Sequence, residues 1–317
     1  MQATEVGAIS QPAPRPLGVA RPRWGERIIR AILFGCALLS VVTTVAILVA
    51  LLQPTIEFFG EVRLREFFFT REWAPLFEPP SFGVPPLILA TLTTTACALV
   101  VCLPFGLGAA IYLSEYARPN ARRVLKPLLE ILAGIPTVVY GFFALTFVTP
   151  LLQDVWPGFL GEKPNIFNAG AAGLAIGLLI VPIIASISED AMSSVPGGLR
   201  EGAYALGSSR MKVALRVVFP AALSGIAASI VLGFSRAVGE TMVVLMAAGS
   251  TPNLTLSPTE SIQAMTSYIG VTATGDISTG TIEYDTIFAV GLLLFVITLF
   301  MNLISIRLVR RFREVYE

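Results

Sequence analysis

The sequence of 317 residues contains no histidine. Imidazole-based zinc sites, Ser-His-Asp triads and imidazole proton relays are excluded with it. Cysteine is scarce: Cys36, Cys97 and Cys102 are the only three, each inside an apolar run. That placement suits small buried hydrophobes rather than disulfides, and no pair has metal-ligand spacing. Charge is scarce too. Asp, Glu, Lys and Arg make up 14% of the residues, where a soluble domain carries roughly a quarter. Hydrophobic residues make up 55%, so the composition is that of an all-α integral membrane protein. The net charge of +1 says nothing about partners, because the charges are sorted along the chain.

Residues 1–27 are rich in Pro, Ala and Arg without hydrophobic period and read as a disordered tail. Six apolar runs follow, at 28–52, 84–113, 127–152, 169–187, 221–249 and 286–306. Each is long enough to cross roughly 30 Å of hydrocarbon at about 1.5 Å per residue. The six-helix region closes near residue 309, and a basic tail occupies 310–317. Gly134, Pro136 and Gly141 predict a kink or break in the third run, and Gly170, Gly173 and Gly177 a close-packing face on the fourth. Residues 53–83 read as an aromatic loop at the membrane interface, and 250–285 as a polar loop with a short helix near 262–268. Seventeen of the 22 Lys and Arg fall in the tails and alternate loops of one side. By the positive-inside rule both termini and the 188–220 loop are cytoplasmic.

That loop is the longest polar interval that still reads as helix. Pro196, Gly197 and Gly198 break the chain, and Leu199 to Leu206 then holds helix formers with no β-branched residue. Gly207 supplies a left-handed stop, Ser208 or Ser209 caps a second short helix, and Pro220 interrupts it. From the residues alone this is a helical hairpin outside the membrane, either an ordinary surface hairpin or a docking element.

The fifth run carries Arg236 and Glu240, four residues apart and so on one helical face. Each would cost about 2.5–3.5 kcal/mol or more facing lipid at mid-membrane. An ion pair between them would serve either helix packing or a pathway for an anion, whose oxygens match the planar guanidinium fork. Ser235 and Thr241 are weaker candidates, because hydroxyls in spans usually bond their own backbone. Lys126 and Glu130 read as a surface ion pair, and Glu115 as a cap or the partner of a loop arginine. Arg307, Arg310, Arg311 and Arg313 read as anchors to anionic lipid head groups.

Glu201, Gly202 and Ala203, then Gly207, then Val217, Phe219 and Pro220 nine residues on, resemble the signature loop of ABC-importer permeases, with Gly202 in place of an alanine. The run from Ser235 to Met242 resembles the fifth span of the phosphate-specific members of that family. Leu113–Ala117, Leu132–Gly141, Trp73-Ala-Pro75 and Phe82-Gly83 match as well, closer to the C subunit than to the A subunit. The resemblance covers residues 28 to 313. It implies the type I importer permease fold, with 188–220 as the coupling loop and Glu201, Gly202, Ala203, Gly207 and Pro220 facing a cytoplasmic ATPase. It also implies that Arg236 and Glu240 line the phosphate pathway. The partners it implies are a second homologous permease, an ATPase dimer that binds the ATP and Mg, and an external phosphate-binding protein, in a bacterial plasma membrane. No nucleic-acid partner is implied.

No glycine-rich nucleotide loop occurs in the chain, so ATP hydrolysis belongs to a partner and the chain itself holds no cofactor or metal. Two other classes are weaker. An ion-coupled secondary anion carrier, with Glu240 relaying protons, would commonly show an internal repeat, and none is visible. A membrane phosphotransferase would need a nucleophile with a base or metal ligands. Within the importer class, sulfate or another oxyanion is the alternative cargo.

Overall fold

The structure, a computed structural model, describes residues 24–158 and 162–311. The expected N-terminal tail therefore falls outside the described residues up to position 23, and the basic C-terminal tail from 312 onward. The first helix, α1 (Trp24–Glu61), begins four residues before the expected span and continues nine residues beyond it. Of the described residues, those from Trp24 to Ala50 belong to one unit and those from Leu51 to another. The first is the apolar N-terminal stretch of α1. The second holds everything described below.

Within it, α2 (Leu64–Phe69) and a two-stranded ribbon, Trp73–Ala74 against Ser81–Phe82, precede α3 (Pro85–Ile111). There follow α4 (Pro119–Ala133), α5 (Thr137–Phe143), α6 (Thr149–Val155) and α7 (Ala169–Ser193). Next are α8 (Gly197–Ala205), α9 (Arg210–Val213), α10 (Phe219–Ala221) and α11 (Leu223–Val238). The chain ends with α12 (Met242–Ala247), α13 (Met265–Thr274) and α14 (Ile282–Arg311). Among the described residues, five helices are long and apolar enough to cross a membrane. There are six if residues 210–221 and α11, bent by 75° at Ala222, count as one span. Pro220, two residues before that bend, lacks the N–H a continuing helix would use.

The core is the packing of α3 on α7, and glycine makes it close. A Cβ on Gly173 would sit 2.3 Å from the Cys97 Cβ, and one on Gly177 2.8 Å from the Ala98 carbonyl oxygen. In lipid, where apolar surface gains nothing by leaving water, close backbone approach supplies the association. Gly173→Leu should therefore destabilise the chain by about 1–3 kcal/mol through overpacking, read as a lower melting midpoint in detergent. Gly202→Ala, with nothing within 4 Å of the added carbon, should leave the midpoint in place.

The third apolar run divides at Gly134-Ile135-Pro136, the break its glycines and proline predict. Its first part joins the preceding loop in α4, an amphipathic helix with no buried side chain. The fifth run also divides, because α11 stops at Val238 and α12 begins only at Met242. Residues 53–83 hold a packed aromatic core, while Phe68, Phe69 and Phe77 stay exposed. Phe58 meets Phe67 and Phe82 edge-on at 5.7 and 5.6 Å, and Trp73 meets Tyr268 at 4.9 Å. Edge-to-face contacts add to area burial for each pair. The helix expected near 262–268 lies at Met265–Thr274.

Candidate functional site

The expected hairpin begins at Gly197 rather than at 188, because α7 continues through Ser193. Leu199 to Ala205 lies within α8, and Gly207 adopts φ +78°. The Ser208 N–H donates to the Ala203 carbonyl at 3.1 Å and the Gly207 N–H to that of Tyr204 at 2.9 Å. These close the end of α8 as a left-handed stop does. Ser209 sits at the start of α9 in extended conformation without a side-chain capping bond. Residues 214–218 continue as one π-helical turn before α10. Glu201, Gly202 and Gly207 are exposed, Ala203 is half-buried, and Leu206 is 88% exposed. The hairpin thus displays leucine, tyrosine and small residues to the outside.

Arg200 fastens this hairpin to the spans. It donates to Glu115 at 2.9 Å through Nη2 and 3.2 Å through Nε, and to the Val195 and Met192 carbonyls at 2.6 and 2.7 Å. Glu115 is thus the partner of a loop arginine, as expected. Lys126 is not the partner of Glu130. It pairs with Glu189 at 2.8 Å and with Asp190, because carboxylates on the packed α7 offer a fixed site where a neighbour on the α4 surface offers a mobile one. Burial opposes the Lys126 charge, but hydrogen bonds to Asp190 and Glu189 prevail and hold its pKa above the ordinary lysine value.

Around Arg236 the structure separates the two residues expected to pair. Arg236 lies in the last turn of α11 with its side chain exposed, while Glu240 lies in the break before α12 and is 6% exposed. No ion pair joins them among the described residues, since the helix that would bring them onto one face ends between them at Val238. The Glu240 carboxylate accepts from the Val243 N–H at 3.5 Å, and its carbonyl accepts from the Thr266 hydroxyl at 2.8 Å. Glu240 therefore fastens the break to α13. Ser235 donates to Asn302 of α14 at 2.8 Å, and Thr241 turns to the Gly239 carbonyl at 3.4 Å. The sequence reading missed Asn302 and Glu189. A lone amide in a long apolar run and a carboxylate just past a span end were the signals that could have found them.

Apolar spans packed on a glycine seam, with a polar helical hairpin anchored to their ends by the Arg200–Glu115 ion pair, define a multi-span membrane protein. Residues 102–314 match the family of binding-protein-dependent transport system inner membrane components, and the chain belongs to that family. It is a transport subunit and not an enzyme. It is 34% identical over 288 residues to the probable ABC transporter permease protein YqgH of Bacillus subtilis, covering 90% of this chain and 91% of that one. It is 32% identical over 311 residues to the phosphate transport system permease protein PstC of Haemophilus influenzae, covering 92% and 95%. Among solved structures it resembles a chain of a bacterial alginate ABC transporter in complex with its periplasmic protein. That match has a TM-score of 0.63 at 16% identity over 92% of this chain and 98% of that one. An inward-facing MetNI methionine ABC transporter matches with a TM-score of 0.51 at 21% identity, over 73% and 95%. These likenesses carry the fold, which is that of type I ABC importer permeases.

Proposed function

We propose that the chain is the C-type permease subunit of an ATP-driven phosphate importer. It supplies half of the translocation pathway beside a second, PstA-like permease, and its hairpin docks on a PstB-like ATPase dimer that binds the ATP and Mg. An external phosphate-binding protein delivers the cargo. The observation that carries the cargo is the match to PstC over more than nine tenths of both chains. Arg236 supports it, because an exposed guanidinium without an ion partner among the described residues is free to meet an oxyanion. Basic residues concentrated in the hairpin, the 118–126 segment and the two tails support a multi-pass protein of the bacterial plasma membrane with both termini cytoplasmic.

The reading predicts that the chain moves nothing by itself. Reconstituted alone in vesicles it should show no phosphate uptake above protein-free vesicles. Adding the second permease, the ATPase and the binding protein with ATP should start uptake. Phosphate accumulation by the isolated chain along an ion gradient would make it a secondary carrier instead.

A further inference from the structure

The coupling hairpin is not the only element fastened to the end of α7. Arg200 of α8 grips the Met192 and Val195 carbonyls there. Three residues before Met192, Glu189 grips α4. Its carboxylate has no exposed surface and accepts from Lys126 Nζ at 2.8 Å and Ser193 Oγ at 2.9 Å, and it pairs with Arg122. Arg122 also donates to Ser193 Oγ at 2.9 Å, and Asp190 takes Lys126 from the exposed side.

The apolar help this clamp receives is partial. No side chain of α4 is fully buried: Ala121, Leu125, Leu129 and Ala133 are half-buried on one face, and Val124, Leu128 and Ile131 are exposed. The ion pairs supply the directional contacts that a half-buried face does not. Beyond α4 the chain breaks at Gly134-Ile135-Pro136 and enters α5, and the Tyr140 hydroxyl reaches back across the break to the Leu132 carbonyl at 3.0 Å. The hairpin, the end of α7, α4 and the start of the third span are thus joined in series by directional polar contacts. Buried ion pairs are poor sources of net stability, and their best-attested use is to fix geometry.

We infer that Glu189 is a positioning residue for transport: it makes α4 follow the end of α7, so that displacement of the hairpin reaches the third span. The inference rests on the permease reading above. Proximity alone is no proof of coupling, so the test reads coupling rather than stability.

The full complex is reconstituted in vesicles with ATP, and phosphate taken up is measured per ATP hydrolysed. Glu189→Gln keeps the side-chain shape and a hydrogen-bonding oxygen for Ser193. The complex should assemble and continue to hydrolyse ATP, while uptake per ATP falls at least tenfold. Arg122→Gln with Lys126→Gln should produce the same fall, and adding Glu189→Gln should deepen it little, because residues that act as one unit are not additive. Asp190→Asn, altering a side chain 62% exposed, should keep most of the ratio. A wild-type ratio in Glu189→Gln, or independent losses that multiply, overturns the inference. If Glu189→Gln does not assemble, Lys126→Gln decides, since Arg122 still satisfies Glu189. A lowered ratio there supports the clamp and a wild-type ratio overturns it. Failure of the clamp shows as an unchanged ratio above normal wild-type uptake. Absence of ATP-driven uptake in the wild type overturns the functional reading and the inference together.

Discussion

Replacing Arg236 by glutamine should lower phosphate uptake by the assembled complex about tenfold to a hundredfold, while leaving assembly and ATPase association intact. Hydrogen bonds to charged groups contribute about 1.5–3 kcal/mol, which sets that range. The expectation of intact assembly comes from the structure. Breaking a buried ion pair from one side costs about 3–5 kcal/mol, but Arg236 is exposed and has no ion partner among the described residues, so its loss strands no buried charge. Arg236→Lys keeps the charge without the planar fork and should fall between. Glu240→Gln neutralises a buried carboxylate that has no ion partner among the described residues, while an oxygen remains for the Val243 N–H and the backbone carbonyl still accepts from Thr266. The melting midpoint should therefore not fall, and any loss should appear in uptake alone. Unchanged uptake in Arg236→Gln would remove Arg236 from the pathway.

Gly207→Val should reduce ATPase association about tenfold without unfolding the spans. The φ of +78° at Gly207 is open to glycine and strained for a β-branched residue. A left-handed backbone costs an ordinary L-residue about 1–2 kcal/mol, and a factor of ten corresponds to about 1.4 kcal/mol. Nothing lies within 4 Å of a Cβ built there, so the effect comes from the backbone and not from a clash within the chain. Gly207→Asn separates turn geometry from side-chain size, because asparagine tolerates the left-handed region. Asparagine should keep association if the turn alone matters and lose it if the partner packs against the glycine. Normal pull-down and transport by Gly207→Val would deny the hairpin its docking role.

Where a feature depends on local chemistry, the sequence showed it. Gly207 stops α8 because few residues accept a left-handed backbone, and the spacing of Gly173 and Gly177 marks the face that meets α3. Glu115 and its loop arginine were legible because a carboxylate at a span end needs a cation. Features that depend on residues far apart in the chain were not. Lys126 has Glu130 one turn away, yet its partners Glu189 and Asp190 lie more than sixty residues on. The break at residues 239–241 has only one glycine and no proline to announce it. It followed that two residues at helical spacing seemed to share a face that the helix does not extend far enough to give them. The aromatic residues between 58 and 82 have the composition of an interfacial belt, and residues from distant segments, Tyr268 and Met265 of α13 and Ala289 and Val290 of α14, complete them as a core.

If this chain forms half of an ATP-driven path for phosphate, reconstituting it with its companion permease, ATPase and binding protein should show it, with uptake of radiolabelled phosphate and sulfate measured side by side in the presence and absence of ATP. Phosphate accumulation should require ATP, fail when this chain is omitted, and be undiminished by excess sulfate. Accumulation of sulfate in place of phosphate, or phosphate accumulation that continues without ATP, would contradict that expectation.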